Sequence, residues 1–214
     1  MDTEKITSYI VAVEYLNYMF DLINETFFES ALSKLTITIQ STPKAFGHFV
    51  AKSDTWISPE ESSCEINMGA GTLARPIEDT VGTLLHEMVH YWNFTRGIKD
   101  CSRSGKYHNR KFKEAAEAKG LRVIKNKNYG WAQTEPTEQI HDFVEKHSLT
   151  SIQIFRNEGY FYVKGGNEDN EDEEPQKKKS STRKYICPCC ETSVRATRTV
   201  RIMCMECEEE MIEE

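Results

Sequence analysis

The 214-residue sequence lacks any long apolar run, and no stretch approaches the roughly 20 residues that a membrane-spanning helix needs. The first residues, "MDTEKITSYIVAVEYL", lack the basic start and apolar core of a secretory signal. The chain also lacks an excess of positive charge. Its formal net charge of −7 excludes a uniformly basic nucleic-acid coat, although a local basic patch is compatible with it. We therefore expect a soluble protein with no membrane partner.

Cysteines are scarce outside the last thirty residues, where five of the seven are found. Cys64 and Cys101 stand alone in the first half of the chain. An odd number of cysteines that is so unevenly placed makes a poor disulfide framework and a good metal-binding one. This distribution favours a reducing compartment, and we expect the protein to be cytoplasmic.

Three segments carry apolar residues at helical spacing and predict helices at 4–33, 77–97 and 108–120. Asp79 is the expected N-cap of the second helix. Between the first two helices, "LTITIQ" alternates apolar and polar residues as a strand does, and "AFGHFVA" and "CEINM" are shorter strand candidates. The expected fold class is α+β, with a long N-terminal helix, a small sheet and two further helices.

Residues 122–164 carry weaker patterns. "TEPTEQIHDFVEKH" predicts a helix that starts near a proline, and "SIQIFR" with "YFYVK" predicts a hairpin. These residues either complete a first domain at 1–164, whose core is about 4–121, or form an appendage to that core.

The composition changes abruptly at residue 165. Residues 165–184 contain no apolar side chain, and six acidic residues fall between 168 and 174. Such a segment cannot bury enough surface to offset the entropy lost on ordering, so we interpret it as a flexible linker. Residues 185–214 then form a second small module, compact to about Cys207 and followed by an acidic tail.

The segment "LLHEMVHYWNFTRG" contains two histidines four residues apart, His86 and His90. On a helix they lie on one face, so both imidazoles can bind one ion. Glu87 lies beside them. In a site of this kind, Glu87 is positioned to take a proton from water whose pKa the metal has lowered.

A catalytic zinc normally takes a third protein ligand. The long motif with a glycine three residues and a histidine six residues after His90 is excluded, because Asn93 and Arg96 occupy those positions. His108, at the start of the next predicted helix, is the favoured third ligand. Glu114, on the same helix, is the alternative.

From about residue 16 to residue 121 the chain resembles the SprT-like family of zinc metallopeptidases. The resemblance is carried by "YMFDLINETFFESAL", by Gly47, by "LLHEMVHYW", and by "HNRKF" followed by "GL". It implies a zincin-like domain in which His86, His90 and His108 bind zinc and Glu87 is the general base. The better-understood eukaryotic relatives cut proteins crosslinked to DNA. The resemblance therefore implies proteolysis, and association with DNA more weakly.

A second metal site is indicated near the C-terminus by Cys187-x-x-Cys190 and Cys204-x-x-Cys207. Four thiolates around one zinc make a closed structural site, and metal binding would supply most of the folding free energy of so short a segment. We expect Cys189 to be a bystander. Glu191 and Glu208 follow the second cysteine of each pair, where zinc knuckles often carry glycine. We expect a strain of about 1 kcal/mol at each of these glutamates.

Between the cysteine pairs, apolar residues alternate with basic and polar ones, which predicts a hairpin with a basic outer face. Residues 176–203 carry eight lysines and arginines against one glutamate. This basic face either contacts nucleic-acid phosphates or is paired with the acidic linker or tail. The candidate nucleic-acid contacts are Lys184, Arg195, Arg198 and Arg201.

The sequence therefore predicts a monomeric zinc endopeptidase with one catalytic and one structural zinc, acting on protein substrates. The C-terminal four-cysteine zinc ribbon, residues 185–214, is a candidate contact for DNA, with intramolecular pairing as the alternative. We expect an extended substrate to pair with an exposed strand such as residues 64–68. The competing hypothesis is a non-catalytic, zinc-containing adaptor that binds nucleic acid or protein.

Overall fold

In a computed structural model, which describes residues 6–42, 45–102, 105–157 and 182–213, helices and strands both contribute to the fold. The predicted α+β class is confirmed. The described residues fall into two units, an N-terminal unit up to residue 157 and a C-terminal unit from residue 182. Within the described ranges, every helix is too short or too polar to cross a membrane.

The N-terminal unit contains four helices: α1 (Tyr9–Phe28), α2 (Ile77–Thr95), α3 (Arg110–Ala118) and α4 (Glu138–Lys146). Its strands are β1 (Thr36–Gln40), β2 (Gly47–Val50), β3 (Trp56–Ile57), β4 (Ser62–Ser63), β5 (Glu65–Gly69), β6 (Cys101–Ser102), β7 (Tyr107–His108), β8 (Leu121–Asn126) and β9 (Gly130–Pro136).

Helix α1 is shorter than the predicted 4–33. It begins after Ser8, whose side chain accepts a hydrogen bond from the backbone N–H of Val11, and residues 1–5 lie outside the described ranges. It ends at Phe28 because Glu29 and Ser30 adopt left-handed φ angles of 56° and 58°. Its apolar face lies in the core of the N-terminal unit.

The first sheet has the order β1-β5-β2. Strand β5 is central, parallel to β1 and antiparallel to β2, and all five of its residues are buried. The expectation that residues 64–68 form an exposed strand is therefore wrong. The edge strand that packs against α2 is β2.

Helix α2 starts at Ile77, with Pro76 as its N-cap residue, so the predicted cap at Asp79 is wrong. Asp79 instead lies in the first turn, where its carboxylate interacts favourably with the positive end of the helix dipole. The apolar face of α2 is fully buried, and the helix packs against β2, β9, α3 and α4. This central position fixes the histidine motif that α2 carries.

The second sheet has the order β6-β7-β9-β8, and its last two strands come from the start of the segment 122–164, whose role the sequence left open. Residues 121–136 form an antiparallel hairpin, β8–β9, against which α3 packs. The predicted hairpin at "SIQIFR" and "YFYVK" is not formed by residues 151–156, where only Ile152 makes a bridge, to Ile6. Its second strand lies outside the described residues.

The C-terminal unit comprises five short strands: β10 (Arg183–Ile186), β11 (Ser193–Ala196), β12 (Met203–Cys204), β13 (Glu209–Glu210) and β14 (Ile212–Glu213). Strand β10 pairs with both β11 and β14, and β12 pairs with β13. The expected hairpin between the cysteine pairs is thus wrong in its pairing, since β11 pairs with β10. The acidic tail is folded into the unit. Of the predicted linker at 165–184, residues 165–181 lie outside the described ranges, and the prediction is wrong at Arg183 and Lys184, which form part of β10.

Candidate metal centres

The three sequence-predicted histidines meet at one point in the N-terminal unit. The Nε2 atom of His90 lies 3.0 Å from that of His108 and 3.2 Å from that of His86, and the Nε2 atoms of His86 and His108 are 3.2 Å apart. His86 and His90 come from successive turns of α2, and His108 comes from β7. A loop of seventeen residues therefore closes to bring the third imidazole to the other two.

The outward nitrogens of two of these rings are held by hydrogen-bond acceptors. His90 Nδ1 lies 2.8 Å from Asp100 Oδ2, and His86 Nδ1 lies 3.0 Å from Thr134 Oγ1. Asn93 donates a second hydrogen bond to Asp100, and the Cys101 thiol lies 4.0 Å from His90 Nδ1. These contacts favour a proton on Nδ1, which leaves the Nε2 lone pairs pointing at one another.

Such a cluster of nitrogens fits a zinc ion. Nitrogen ligands at 2.0–2.1 Å in a tetrahedral arrangement lie about 3.3 Å apart, close to the observed separations. A neutral imidazole carries a single N–H, so three facing Nε2 atoms cannot satisfy one another when the Nδ1 atoms hold the protons. The donor set and its outer carboxylate are the combination that zinc takes in proteins.

Burial keeps the imidazoles of His86 and His108 neutral. Burial, together with the neighbouring His90 and His108, holds the pKa of His86 well below its usual range. Burial also lowers the pKa of His108 to about 4, with a further lowering from His90. For Asp100, burial would raise the pKa, but hydrogen bonds from His90, Asn93 and Cys101 bring it below its ordinary value. The cluster thus pairs neutral nitrogens with an ionised carboxylate, which suits a cation.

Helix α3 and strand β9 position His108. Asn109 caps α3 by accepting hydrogen bonds from the backbone N–H groups of Lys111 and Phe112, so His108 lies before the helix rather than opening it. The Phe112 ring is fully buried, with its centroid 4.5–4.7 Å from those of all three histidines. Strand β7 aligns His108 with Gly130 of β9, and the His108 N–H donates to the Tyr129 carbonyl at 3.0 Å.

Glu87 is buried between α2 and the edge strand β2. A Cβ at Gly47 would lie 2.9 Å from the Asn67 carbonyl oxygen of β5, and 3.3 Å from Thr83 Cγ2 and 3.4 Å from Glu87 Cγ of α2, so glycine at this position lets β2 pack closely between β5 and α2. Burial raises the pKa of Glu87 to about 7, against the lowering effects of His90 and of a hydrogen bond from the Phe49 backbone. A carboxyl group with a pKa near neutrality is suited to accept and return a proton.

The alternative third ligand lies elsewhere. Glu114 is on the exposed side of α3 and forms an ion pair with Arg110 at 2.8 Å. Sequence reasoning did not find the outer partners Asp100 and Thr134. Asp100 lies ten residues after His90 in a loop, and Thr134 lies at the start of "TEPTEQIHDFVEKH", where the sequence predicted a helix but the structure has strand β9, with the helix α4 beginning at Glu138.

The four predicted cysteines also come together, in the C-terminal unit. The Sγ atoms of Cys187, Cys190, Cys204 and Cys207 all lie within 4.8 Å of one another, and those of Cys190 and Cys204 are 3.7 Å apart. Tetrahedral thiolates at 2.3 Å from zinc lie about 3.8 Å apart, so the cluster fits a structural zinc. Cys189 is exposed and is not a member of this group.

The residues that follow the cysteine pairs adopt the expected strained backbone. Glu191 has a φ of 60° and Glu208 a φ of 54°, both in the left-handed region. Zinc-knuckle geometry therefore overrides the preference of these glutamates for negative φ.

The basic face of the C-terminal unit is partly neutralised by the tail. Arg201 makes a two-pronged ion pair with Glu210, at 2.8 and 3.0 Å, and Arg183 lies 3.3 Å from Glu213. Lys184 and Arg195 lie directly opposite each other on β10 and β11. Intramolecular pairing, one of the two expectations for this face, thus holds at Arg201.

Comparison with protein families adds to this geometry. The family model of the SprT-like family matches residues 16–128, which is more than half of the chain. The chain belongs to the SprT-like family. The matched range of this SprT-like protein contains all three histidines and Glu87, whereas the four-cysteine unit lies outside it. A comparison with curated proteins gives no significant match.

Proposed function

We propose that this SprT-like protein is a zinc-dependent endopeptidase with a zincin-like catalytic unit. The observation that carries the proposal is the convergence of three Nε2 atoms within 3.0–3.2 Å, beside a buried glutamate. A structural zinc site has no use for an additional carboxylate, and this one is held by the backbone of the edge strand. Membership of the SprT-like family supports the same assignment.

In this proposal His86, His90 and His108 hold the zinc through Nε2. A bound zinc ion polarises the scissile carbonyl and lowers the pKa of water. Asp100 and Thr134 fix the orientation of two of the imidazoles through Nδ1. Three ligands from the protein leave one coordination position open, as catalytic zinc sites do.

Glu87 moves the proton. Its carboxylate accepts a proton from the attacking water and delivers it to the leaving amine, so the same oxygen acts first as a base and then as an acid. The Phe49 N–H orients this carboxylate, and the close approach of β2 at Gly47 shields it from bulk solvent. Removal of such a group typically costs between 10² and 10⁴ in rate.

We assign the substrate to the free edge of β2. One side of β2 pairs with β5, and within the described ranges no strand pairs with the other side. An extended polypeptide can add there through main-chain hydrogen bonds, which makes binding tolerant of sequence. Phe49 on β2 and Phe94 at the end of α2 pack at 5.6 Å, and Phe94 is 36% exposed, so an apolar side chain of the substrate has a surface to contact.

The C-terminal unit is proposed to hold the second zinc and to contact nucleic acid through Lys184, Arg195 and Arg198. Lys184 and Arg195 lie directly opposite each other on β10 and β11, which places two basic side chains where one phosphate could contact both. Arg201 contributes less to this proposal, because Glu210 already occupies its guanidinium. The thiolates of the cysteine site stay reduced in the cytoplasm, where we place the protein as a monomer.

Replacement of Glu87 by Gln tests the peptidase proposal. The variant keeps the shape of the side chain and removes its basicity, so cleavage of an unfolded protein should fall by about 10²–10⁴ while the zinc content is unchanged. Glu114→Gln, on the exposed side of α3, is the matched control and should cleave like the wild type. If the wild type is as inert as Glu87→Gln, with and without DNA, the protein is instead a zinc-containing adaptor.

A further inference from the structure

The positive charge of the N-terminal unit is concentrated in one segment. Residues 105–131 carry eight lysines and arginines and only two glutamates, in a chain whose formal net charge is −7. The two glutamates are already paired with basic residues within α3, Glu114 with Arg110 and Glu117 with Lys113. The remaining cations of this segment are therefore not compensated by its own acids.

Several of these cations surround the tip of the β8–β9 hairpin. Lys125 and Lys127 lie on either side of Asn126, at the end of β8, and Lys106 precedes β7, which pairs with β9 at Gly130. In the described part of the chain, no carboxylate lies within ion-pair distance of these three lysines. Mutual repulsion among them weakens this end of the sheet unless a polyanion binds.

Aromatic rings accompany the lysines. The ammonium groups of Lys113 and Lys125 lie 4.5 and 5.4 Å from the centroid of the Trp131 ring, which ties α3 and β8 to β9. Tyr129, in the turn of the hairpin, is 53% exposed. Two backbone hydrogen bonds to the Asn126 side chain organise this turn, from Asn128 at 2.8 Å and from Tyr129 at 3.2 Å. An exposed ring on an ordered turn is a platform on which a base can stack.

We infer that this surface, formed by Lys106, Lys113, Lys125, Lys127, Tyr129 and Trp131 and here called the hairpin face, binds a single strand of nucleic acid. Lysines along a groove or ridge contact successive phosphates, and an exposed aromatic ring stacks on a base of any sequence. A duplex would satisfy the lysines but keeps its bases stacked inside, away from Tyr129. The combination of charge and an exposed ring therefore favours an unpaired strand.

The hairpin face adjoins the metal centre. The Tyr129 carbonyl accepts the backbone N–H of His108, and Gly130 is the residue aligned with His108 in the sheet. A strand bound at Tyr129 therefore lies next to the segment that carries the third histidine. The hairpin face shares no residue with the basic residues proposed for the C-terminal unit, and its occupancy does not depend on peptide hydrolysis.

Binding of a fluorescent oligothymidine of about 15 nucleotides, followed by anisotropy across a salt series, tests the inference. The full chain is used with Glu87→Gln, which prevents proteolysis, and with Lys184→Ala, Arg195→Ala and Arg198→Ala, which remove the nucleic-acid contacts proposed for the C-terminal unit. Failure of this test is thus distinct from failure of the peptidase proposal. We expect binding at low salt, with an affinity that falls as salt rises.

In that background, Lys106→Ala, Lys125→Ala and Lys127→Ala together should reduce the slope of log affinity against log salt by about 2, since each phosphate contact on a single strand contributes about 0.7. The matched control replaces Lys34, Lys52 and Lys146, which lie on other elements, and should leave the slope unchanged. Equal slopes in the two triple variants would overturn the inference, as would no binding in the starting background at low salt.

Tyr129→Ala separates nucleic acid from an acidic polypeptide. Loss of a stacked base should weaken oligothymidine binding about fivefold or more, and should leave the binding of polyglutamate unchanged. If polyglutamate binds as tightly as the oligonucleotide and Tyr129→Ala affects neither, the hairpin face is a docking site for acidic protein segments and the inference is wrong. Zinc content and circular dichroism confirm that the exposed substitutions leave the fold intact.

Discussion

Gly130 is the backbone position on which the third histidine depends most directly. It has a φ of +68°, and a Cβ placed on it would clash with the His108 carbonyl oxygen and lie 2.9 Å from the Tyr107 ring. Gly130→Ala therefore adds a methyl group where no carbon fits. Either β9 moves away from β7 or His108 moves, by about 1 Å, to restore an ordinary contact.

Two contributions determine how much Gly130→Ala lowers the free energy of unfolding. A left-handed alanine costs about 1–2 kcal/mol, and forcing an extra carbon into a packed site typically costs about 1–3 kcal/mol more. Gly97→Ala isolates the first contribution, because Gly97 has a φ of +66° and a Cβ there meets nothing within 4 Å. We expect Gly97→Ala to lower the free energy of unfolding by about 1–2 kcal/mol and Gly130→Ala to lower it by about 2–5 kcal/mol.

The two glycine variants should differ more sharply in zinc binding. Displacement of His108 spoils the three-nitrogen arrangement, so Gly130→Ala should lose zinc from the histidine site, whereas Gly97→Ala should retain it. Urea unfolding of the zinc-loaded proteins and competition with a chromophoric chelator measure the two effects. Equal stability and equal zinc affinity in the two variants would refute the argument that the approach of β9 to β7 positions His108.

Four further substitutions test the surroundings of the two sites. Asp100→Asn should weaken zinc binding at the histidine site about 10–100-fold, because the acceptor that orients His90 loses its charge, and an affinity within twofold of wild type would exclude this role. Thr134→Val should have a smaller effect of the same kind through His86, measured by the same chelator competition. Cys190→Ser should remove one zinc per chain and Cys189→Ser none, as metal analysis would show. Glu208→Gly should stabilise the zinc-bound C-terminal unit by about 1 kcal/mol by relieving its left-handed backbone, and a loss of stability would contradict the strain.

Local sequence patterns were sufficient to predict that the helices exist and which residues are candidate metal ligands. The spacing of His86 and His90 on an apolar helix, and the paired Cys-x-x-Cys segments, are short-range features that the sequence displays directly. The mixed α+β class and the SprT-like resemblance followed from the same features, and both are confirmed.

Long-range pairing could not be predicted in the same way. Strand β5 looked like an exposed strand because its neighbours β1 and β2 are separated from it by loops, and only the folded sheet shows that both flank it. Asp100 carries no motif, because its role depends on where a loop returns to α2. The acidic tail was expected to follow the compact module, but pairing with β10 and β12 folds it into the C-terminal unit.

The central claim is that His86, His90 and His108 bind one zinc ion in addition to the zinc of the cysteine site. Metal analysis of the purified chain and of two variants tests it most directly. The account predicts two zinc ions in the wild type, one in His108→Ala and two in Glu114→Ala. One zinc ion in the wild type, or retention of both in His108→Ala, would contradict it.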